Sequence, residues 1–117
     1  MVGLMRRGEI WTANLNPTRG AEIGKIRPVL VLQAEWLTEA GSDTVLVVPL
    51  TTQHRPSLDA LRIAIPARDR LRKTCYTVAE KLRAIDRQRF GTGPLTVASH
   101  EEMAELEQSL RAVLGML

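Results

Sequence analysis

Ile26-Arg27-Pro28-Val29-Leu30-Val31-Leu32-Gln33 is the stretch that decides how this chain folds. Four consecutive aliphatic residues, Val29 to Leu32, stand between an arginine–proline pair and an amide. A short apolar run with β-branched side chains predicts a strand buried on both faces. Pro28 removes a backbone donor and pushes Arg27 towards an extended conformation. Arg27 is therefore expected at the mouth of a buried strand, with its guanidinium in reach of a surface pocket. A second run, Thr44-Val45-Leu46-Val47-Val48-Pro49-Leu50, has the same character and ends in Thr51-Thr52-Gln53. If the two strands pair, an arginine and a threonine hydroxyl meet at one rim of the sheet.

Working outward, Glu9 to Leu15 alternates as a strand, with Trp11, Ala13 and Leu15 on one apolar side. Asn16-Pro17 stops it. Thr18 to Lys25 carries two glycines and three charges and reads as a mobile connecting loop. Ala34 to Ala40 suits a short helical turn, and Gly41-Ser42-Asp43 a reversal. Leu61 to Ile65 and Cys75 to Arg83 alternate as strands; Pro66 to Arg72 is helix-compatible, with Pro66 able to sit in a first turn. Asp86 to Phe90 reads as a short turn, and Met1 to Met5 as a loose end.

The last element is the clearest. Ser99 followed by Glu102 predicts a capping box. Met103, Leu106, Leu110, Val113, Leu114 and Leu117 then share one helical face. Short strands closed by this amphipathic helix predict a mainly β fold, a small, strongly bent antiparallel sheet or partly open barrel. Its edges need cover from the helix or from a second copy of the chain.

The 117 residues predict one domain, 1–117. A single cysteine, Cys75, excludes an intrachain disulfide and suits a reducing compartment. No run matches a membrane span, and the N-terminus lacks the apolar core of a signal peptide, so a cytoplasmic protein is expected. Net charge is +3, but residues 54–90 hold ten basic and four acidic side chains. That basic middle favours a polyanionic partner, although arginines spread over a solvated surface would explain it as well. Only four aromatic residues are present, which argues against a base-stacking platform.

His54 and His100 have no metal-binding partners at usual spacing, so no metal or cofactor is expected. What remains is an arginine–hydroxyl pair on a basic protein. RNA cleavage needs neither metal nor enzyme nucleophile, because the 2′-OH attacks the adjacent phosphorus and leaves a 2′,3′-cyclic phosphate and a 5′-OH end. The protein must move two protons and stabilise charge on the equatorial oxygens. Arginine suits the charge with its fork of donors and is a poor base.

The segments Arg7-Gly8-Glu9-Ile10-Trp11, Leu15-Asn16-Pro17-Thr18, Gly20-Ala21-Glu22, Lys25-Ile26-Arg27-Pro28-Val29-Leu30-Val31, Val48-Pro49-Leu50-Thr51-Thr52 and Leu82-Arg83-Ala84-Ile85-Asp86 occur in this order. Together they make the chain resemble the MazF/PemK toxins, mRNA interferases of type II toxin–antitoxin modules. The resemblance implies an SH3-like β-barrel with a C-terminal helix, a homodimer, and metal-independent, ribosome-independent cleavage of single-stranded RNA at short sequences. It also implies a MazE-like antitoxin whose acidic tail occupies the RNA groove.

By the same resemblance, Arg27 and Thr51 fall on the catalytic arginine and threonine, and Glu22 on the acidic position of the loop between the first two strands. Glu80 falls near a carboxylate that lines the RNA site, where it would assist 2′-OH deprotonation or simply balance Lys81 or Arg83. Arg83 and Asp86 match a segment read as an ion pair beside the groove. Thr52 and Gln53 are further substrate-binding candidates, and Arg19, Lys25, His54 and Arg55 are loop candidates for RNA recognition. Ala21 stands where some relatives carry a histidine, so no mechanism here can use that group. The same barrel also serves a gyrase-poisoning toxin class, so a non-catalytic binding module is the alternative.

Overall fold

The computed structural model describes residues 4–116. Strands β1 (Glu9–Asn14), β2 (Ile26–Val31) and β3 (Thr44–Thr51) form the centre of the sheet. Helix α1 (Glu35–Glu39) links β2 to β3, followed by β4 (Ala64–Ile65), β5 (Cys75–Thr77), β6 (Arg83–Asp86), β7 (Thr96–Val97) and α2 (His100–Val113). The seven strands pair antiparallel in the order β4-β5-β3-β2-β1-β7, with β6 also on β3. The sheet curls into a half-barrel.

The central run behaves as its composition requires. Val29, Leu30 and Val31 are all buried. Leu30 points with Ile10, Val48, Leu50 and Ile65 into a core closed by Leu106 of α2. Val29 and Val31 point the other way, into a second core with Trp11, Val45, Val47 and Ile85. β1 contributes to both, through Ile10 on one side and Trp11, Ala13 and Leu15 on the other, so its buried surface exceeds the single apolar side expected.

Other expectations need correction. Met5 is buried in the second core, while Met1 to Gly3 lie outside the described residues. The strand expected over Leu61–Ile65 shrinks to Ala64–Ile65, because residues 56–61 coil into a 3₁₀ turn. Pro66–Arg72 is not helical: β4 and β5 pair directly, so this segment must reverse, with Arg68 bridging Leu71 and Asp69 at φ 51°. The strand expected over Cys75–Arg83 breaks into β5 and β6 around a 3₁₀ turn at Ala79–Lys81.

Pro49 explains that break. β6 pairs with residues 44–47 of β3 and β5 with residues 50–51, on the same edge. Between them, the carbonyl of Pro49 accepts from Val78 N at 3.0 Å, but proline has no N–H to return. The ladder lapses there, and Glu80 and Lys81 leave the sheet.

Helix α2 begins as expected. Ser99 Oγ accepts from Glu102 N at 3.1 Å, and Ser99 N donates to Glu102 Oε1 at 2.8 Å. Met103, Leu110 and Val113 pack on the first core, but Leu114 at the C-cap is 55% exposed, and Leu117 lies outside the described residues. The helix has ended before Leu114 can follow the apolar face. Among the described residues no helix is long and apolar enough to cross a membrane.

Candidate RNA-cleaving groove

The β2–β3 register pairs Val31 with Val47, Leu30 with Val48 and Val29 with Pro49. Arg27 and Thr51 lie two residues beyond the last pair of this ladder, Val29 with Pro49, and by strand alternation each shares the face of that residue on its own strand. The β3–β5 register then sets Thr51 opposite Tyr76, and the β4–β5 register sets Tyr76 opposite Ala64. Directly opposed residues project from the same face. Arg27, Thr51 and Tyr76 therefore extend, at the open end of the sheet, the row that begins in the second core with Val31 and Val47. Beyond Val29 and Pro49 the apolar cover stops, and the same face becomes a groove.

That groove has a volume of about 410 Å³ and is open to solvent. Arg27, Thr51, Gln53, Arg55, Arg62, Glu80 and Lys81 are among the residues that line it. A contiguous hollow of about 250 Å³ extends it past Glu22 and Arg83. Arg27 is half-buried, and its Nε donates to the carbonyl of Gly24 at 2.9 Å. This bond holds one edge of the guanidinium against the loop and leaves the terminal nitrogens to the groove. Thr51 Oγ1 accepts from Gln53 N at 3.1 Å, which fixes the hydroxyl and turns the chain out of β3.

Glu80 makes its ion pair with Arg62, and Lys81 adds only a lesser charge attraction. Its Oε1 and Oε2 accept from Arg62 Nη1 and Nη2 at 2.6 and 2.8 Å, a two-pronged ion pair. The Arg62 side chain is only 10% exposed. Hydrogen bonding from Arg62 holds the Glu80 carboxyl below the usual carboxylate range, against the opposing effect of burial. Lys81 Nζ instead reaches across to the carbonyl of Ala21 at 2.8 Å and pins the β1–β2 loop to the groove wall. In that loop Glu22 Oε1 accepts from Arg19 N at 2.6 Å, closing a turn.

The remaining candidates divide. Arg83 and Asp86 do not form an ion pair: Arg83 Nη1 donates to Leu15 O at 3.3 Å, while Asp86 caps the next turn by accepting from Gln88 N at 2.8 Å. Three positions apart on a strand, they point to opposite faces. Thr52, Arg19 and Lys25 are exposed but do not line the groove. His54 does not line the groove itself; it stacks on Tyr76 at 5.0 Å between ring centroids and meets Asp59 Oδ1 at 2.8 Å.

Much of the basic middle is used internally. Arg87 donates to Ser42 O and Thr38 O, both at 2.6 Å, and Arg89 donates to the carbonyls of Asn14 and Asn16. Arg68 pairs with Glu102 at 2.6 Å. Arg62 and Lys81 are the groove cations that sequence reasoning missed. Arg62 finds its partner eighteen positions away, and nothing in the local pattern announces that. Cys75 is buried, which raises its thiol pKa and suits a core residue.

The family described as PemK-like, MazF-like toxin of type II toxin–antitoxin system matches residues 6–114. Endoribonuclease MazF9 of Mycobacterium tuberculosis is 30% identical over 117 residues, covering 97% of this chain and 98% of that protein. The fold is similar to the crystal structure of MazF from Deinococcus radiodurans, with a TM-score of 0.84 at 23% identity over 98% of this chain and 100% of that one. It is also similar to a mycobacterial endoribonuclease solved in complex with its cognate antitoxin, with a TM-score of 0.74 at 19% identity over 99% and 98% of the two chains. A curled antiparallel half-barrel with a C-terminal helix is thus the architecture of a toxin class. The chain belongs to the PemK-like, MazF-like toxins of type II toxin–antitoxin systems.

Proposed function

We propose that this toxin is an endoribonuclease that cleaves single-stranded RNA in the groove between Arg27 and Thr51. The reading is supported above all by two observations: both residues line one groove, and strand alternation from the Val29–Pro49 pair gives them the same face. The 2′-oxygen attacks the adjacent phosphorus, the bond from phosphorus to the 5′-oxygen breaks, and the products are a 2′,3′-cyclic phosphate and a 5′-OH. Arg27 stabilises the equatorial oxygens and protonates the leaving 5′-oxygen. Thr51 hydrogen-bonds a phosphate oxygen. Arg55 and Lys81 attract the flanking phosphates.

The proton of the 2′-OH goes to water or to a groove carboxylate. Glu80 suits that step poorly, because Arg62 occupies both its oxygens and lowers its proton affinity. Glu22 uses one oxygen to close its turn and has the other to offer. Gln53 contributes an amide to the substrate, and Arg19, Lys25 and Thr52 contribute only to its outer path.

The cationic groove also suits the acidic tail of a cognate antitoxin, which would compete with RNA for the same charges. We place the toxin in the cytoplasm, where its substrate is, as a homodimer. Exposed apolar side chains such as Trp36 (71%) and Ile26 (72%) are consistent with a further covered surface.

The test is direct. Purified protein mixed with unstructured RNA in EDTA should release 5′-OH fragments, and Arg27→Ala should abolish this while keeping its thermal midpoint. Cleavage that needs a divalent ion, or that persists in Arg27→Ala, overturns the mechanism. Growth arrest with intact RNA and inhibited gyrase would replace it by the binding-module reading.

A further inference from the structure

We propose that His54, stacked on Tyr76 and held by Asp59, is a platform on which one unpaired base of the RNA stacks at the edge of the groove. The proposal deepens the ribonuclease reading and rests on it for the identity of the ligand. Tyr76 stands opposite Thr51 in the β3–β5 register, so its ring occupies the same face as the hydroxyl. Beyond β3 the chain turns at Gln53, and the imidazole of His54 folds back over that ring, 20° from parallel at 5.0 Å. Asp59, in the 3₁₀ turn that follows, holds Nε2 of the imidazole at 2.8 Å. One face of the imidazole is therefore covered by Tyr76 and one edge is tied to Asp59, yet the side chain is 48% exposed.

A ring fixed on one face and at one edge, beside a phosphate-binding groove, is a preformed stacking surface. Its neighbours Gln53 and Arg55 both line the groove, so a strand passing Thr51 runs alongside it. Stacking accepts any base, because every base presents a π-face, and a single stack changes affinity about tenfold. The platform thus positions the strand next to the scissile phosphate and favours bases that stack well. The scarcity of aromatic residues argued against such a surface; an imidazole laid on a single tyrosine supplies it.

The experiment measures binding of an uncleavable 2′-fluoro RNA to the full chain, with one abasic nucleotide moved along it, and in parallel the cleavage of unmodified RNA. His54→Ala should weaken binding about tenfold and His54→Phe, which keeps a stacking ring, should not. At one position the abasic substitution should weaken wild-type binding by the same factor and add nothing in His54→Ala. Equal abasic losses in both proteins at every position, or His54→Phe binding as weakly as His54→Ala, overturn the platform. If that happens while wild type still cleaves RNA, the platform alone falls. If wild type binds with the abasic signature but cleaves nothing, the nuclease reading falls and the platform stands. Absence of any RNA binding overturns both.

Discussion

Arg62 grips both carboxylate oxygens of Glu80, at 2.6 and 2.8 Å, across the wall of the groove. The pair joins the chain just after one 3₁₀ turn to the middle of another. It also decides the character of the groove, because it neutralises the one carboxylate that lines the groove beside Arg27 and Thr51.

The pair should show in the acid limb of stability. Arg62 lowers the Glu80 pKa in the folded state below its ordinary value of 4.5. A group with a depressed folded pKa contributes stability above its unfolded pKa and loses it as pH falls through the folded one. Thermal midpoints of wild type should therefore decline below about pH 4.5, and Glu80→Gln should decline less steeply over the same window. Parallel curves for the two proteins would show that the pair adds nothing to acid sensitivity.

Thr51→Ala and Arg27→Lys should each lower the cleavage rate about 10²–10³-fold, the usual cost of removing one preorganised donor at developing charge. Lysine keeps the charge of Arg27 but not the second prong or the bond to Gly24 O. Single-turnover rates at saturating RNA give the comparison, with near-ultraviolet circular dichroism to show that packing is retained. A Thr51→Ala enzyme cleaving at the wild-type rate would remove the hydroxyl from the mechanism.

Lys81→Ala should free the β1–β2 loop, since its ammonium holds the carbonyl of Ala21 at 2.8 Å. Amide hydrogen exchange over residues 18–25 should quicken, and KM for RNA should rise about tenfold for the loss of one charged hydrogen bond. Arg83→Ala, which removes a donor to Leu15 O nearer the base of the same loop, should quicken exchange around Leu15 instead.

Gly24→Ala should impair cleavage without altering any groove side chain. A Cβ at Gly24 would stand 2.6 Å from Asn16 Oδ1 and 3.1 Å from Thr18 Oγ1, so either the Asn16 side chain gives up its bond from Lys25 N, which loosens the turn, or the backbone at Gly24 moves. The carbonyl that holds Arg27 Nε shifts with it. A displacement on the order of 1 Å of a positioning group costs up to ~10²-fold in rate. Wild-type kcat in Gly24→Ala would show that Arg27 does not depend on this carbonyl.

The two apolar runs and the helix were legible in the sequence because local pattern and final burial coincide there. Val29 to Val31 are buried on both faces as an uninterrupted aliphatic run requires, and Ser99 with Glu102 forms the cap that their spacing predicts. Cys75–Arg83 was misread as one strand because its alternation is genuine on either side of the break. The cause of the break, the missing donor of Pro49, lies on the neighbouring strand. The ion pair that the resemblance implies for Arg83 and Asp86 does not form, because residues three apart on a strand face opposite ways.

By itself the sequence determined the two buried central strands, where the last helix begins, and that an arginine and a threonine stand at strand ends. Those are properties of hydrophobic period, proline and capping chemistry, all carried by neighbours along the chain. Only the tertiary structure decided that β2 and β3 pair in the register that leaves Arg27 and Thr51 on one face, both lining one groove. It alone gave Glu80 to Arg62, Lys81 to the loop and His54 to Tyr76. Such long-range partnerships depend on how the sheet curls and where its ladder lapses, and no single segment encodes either.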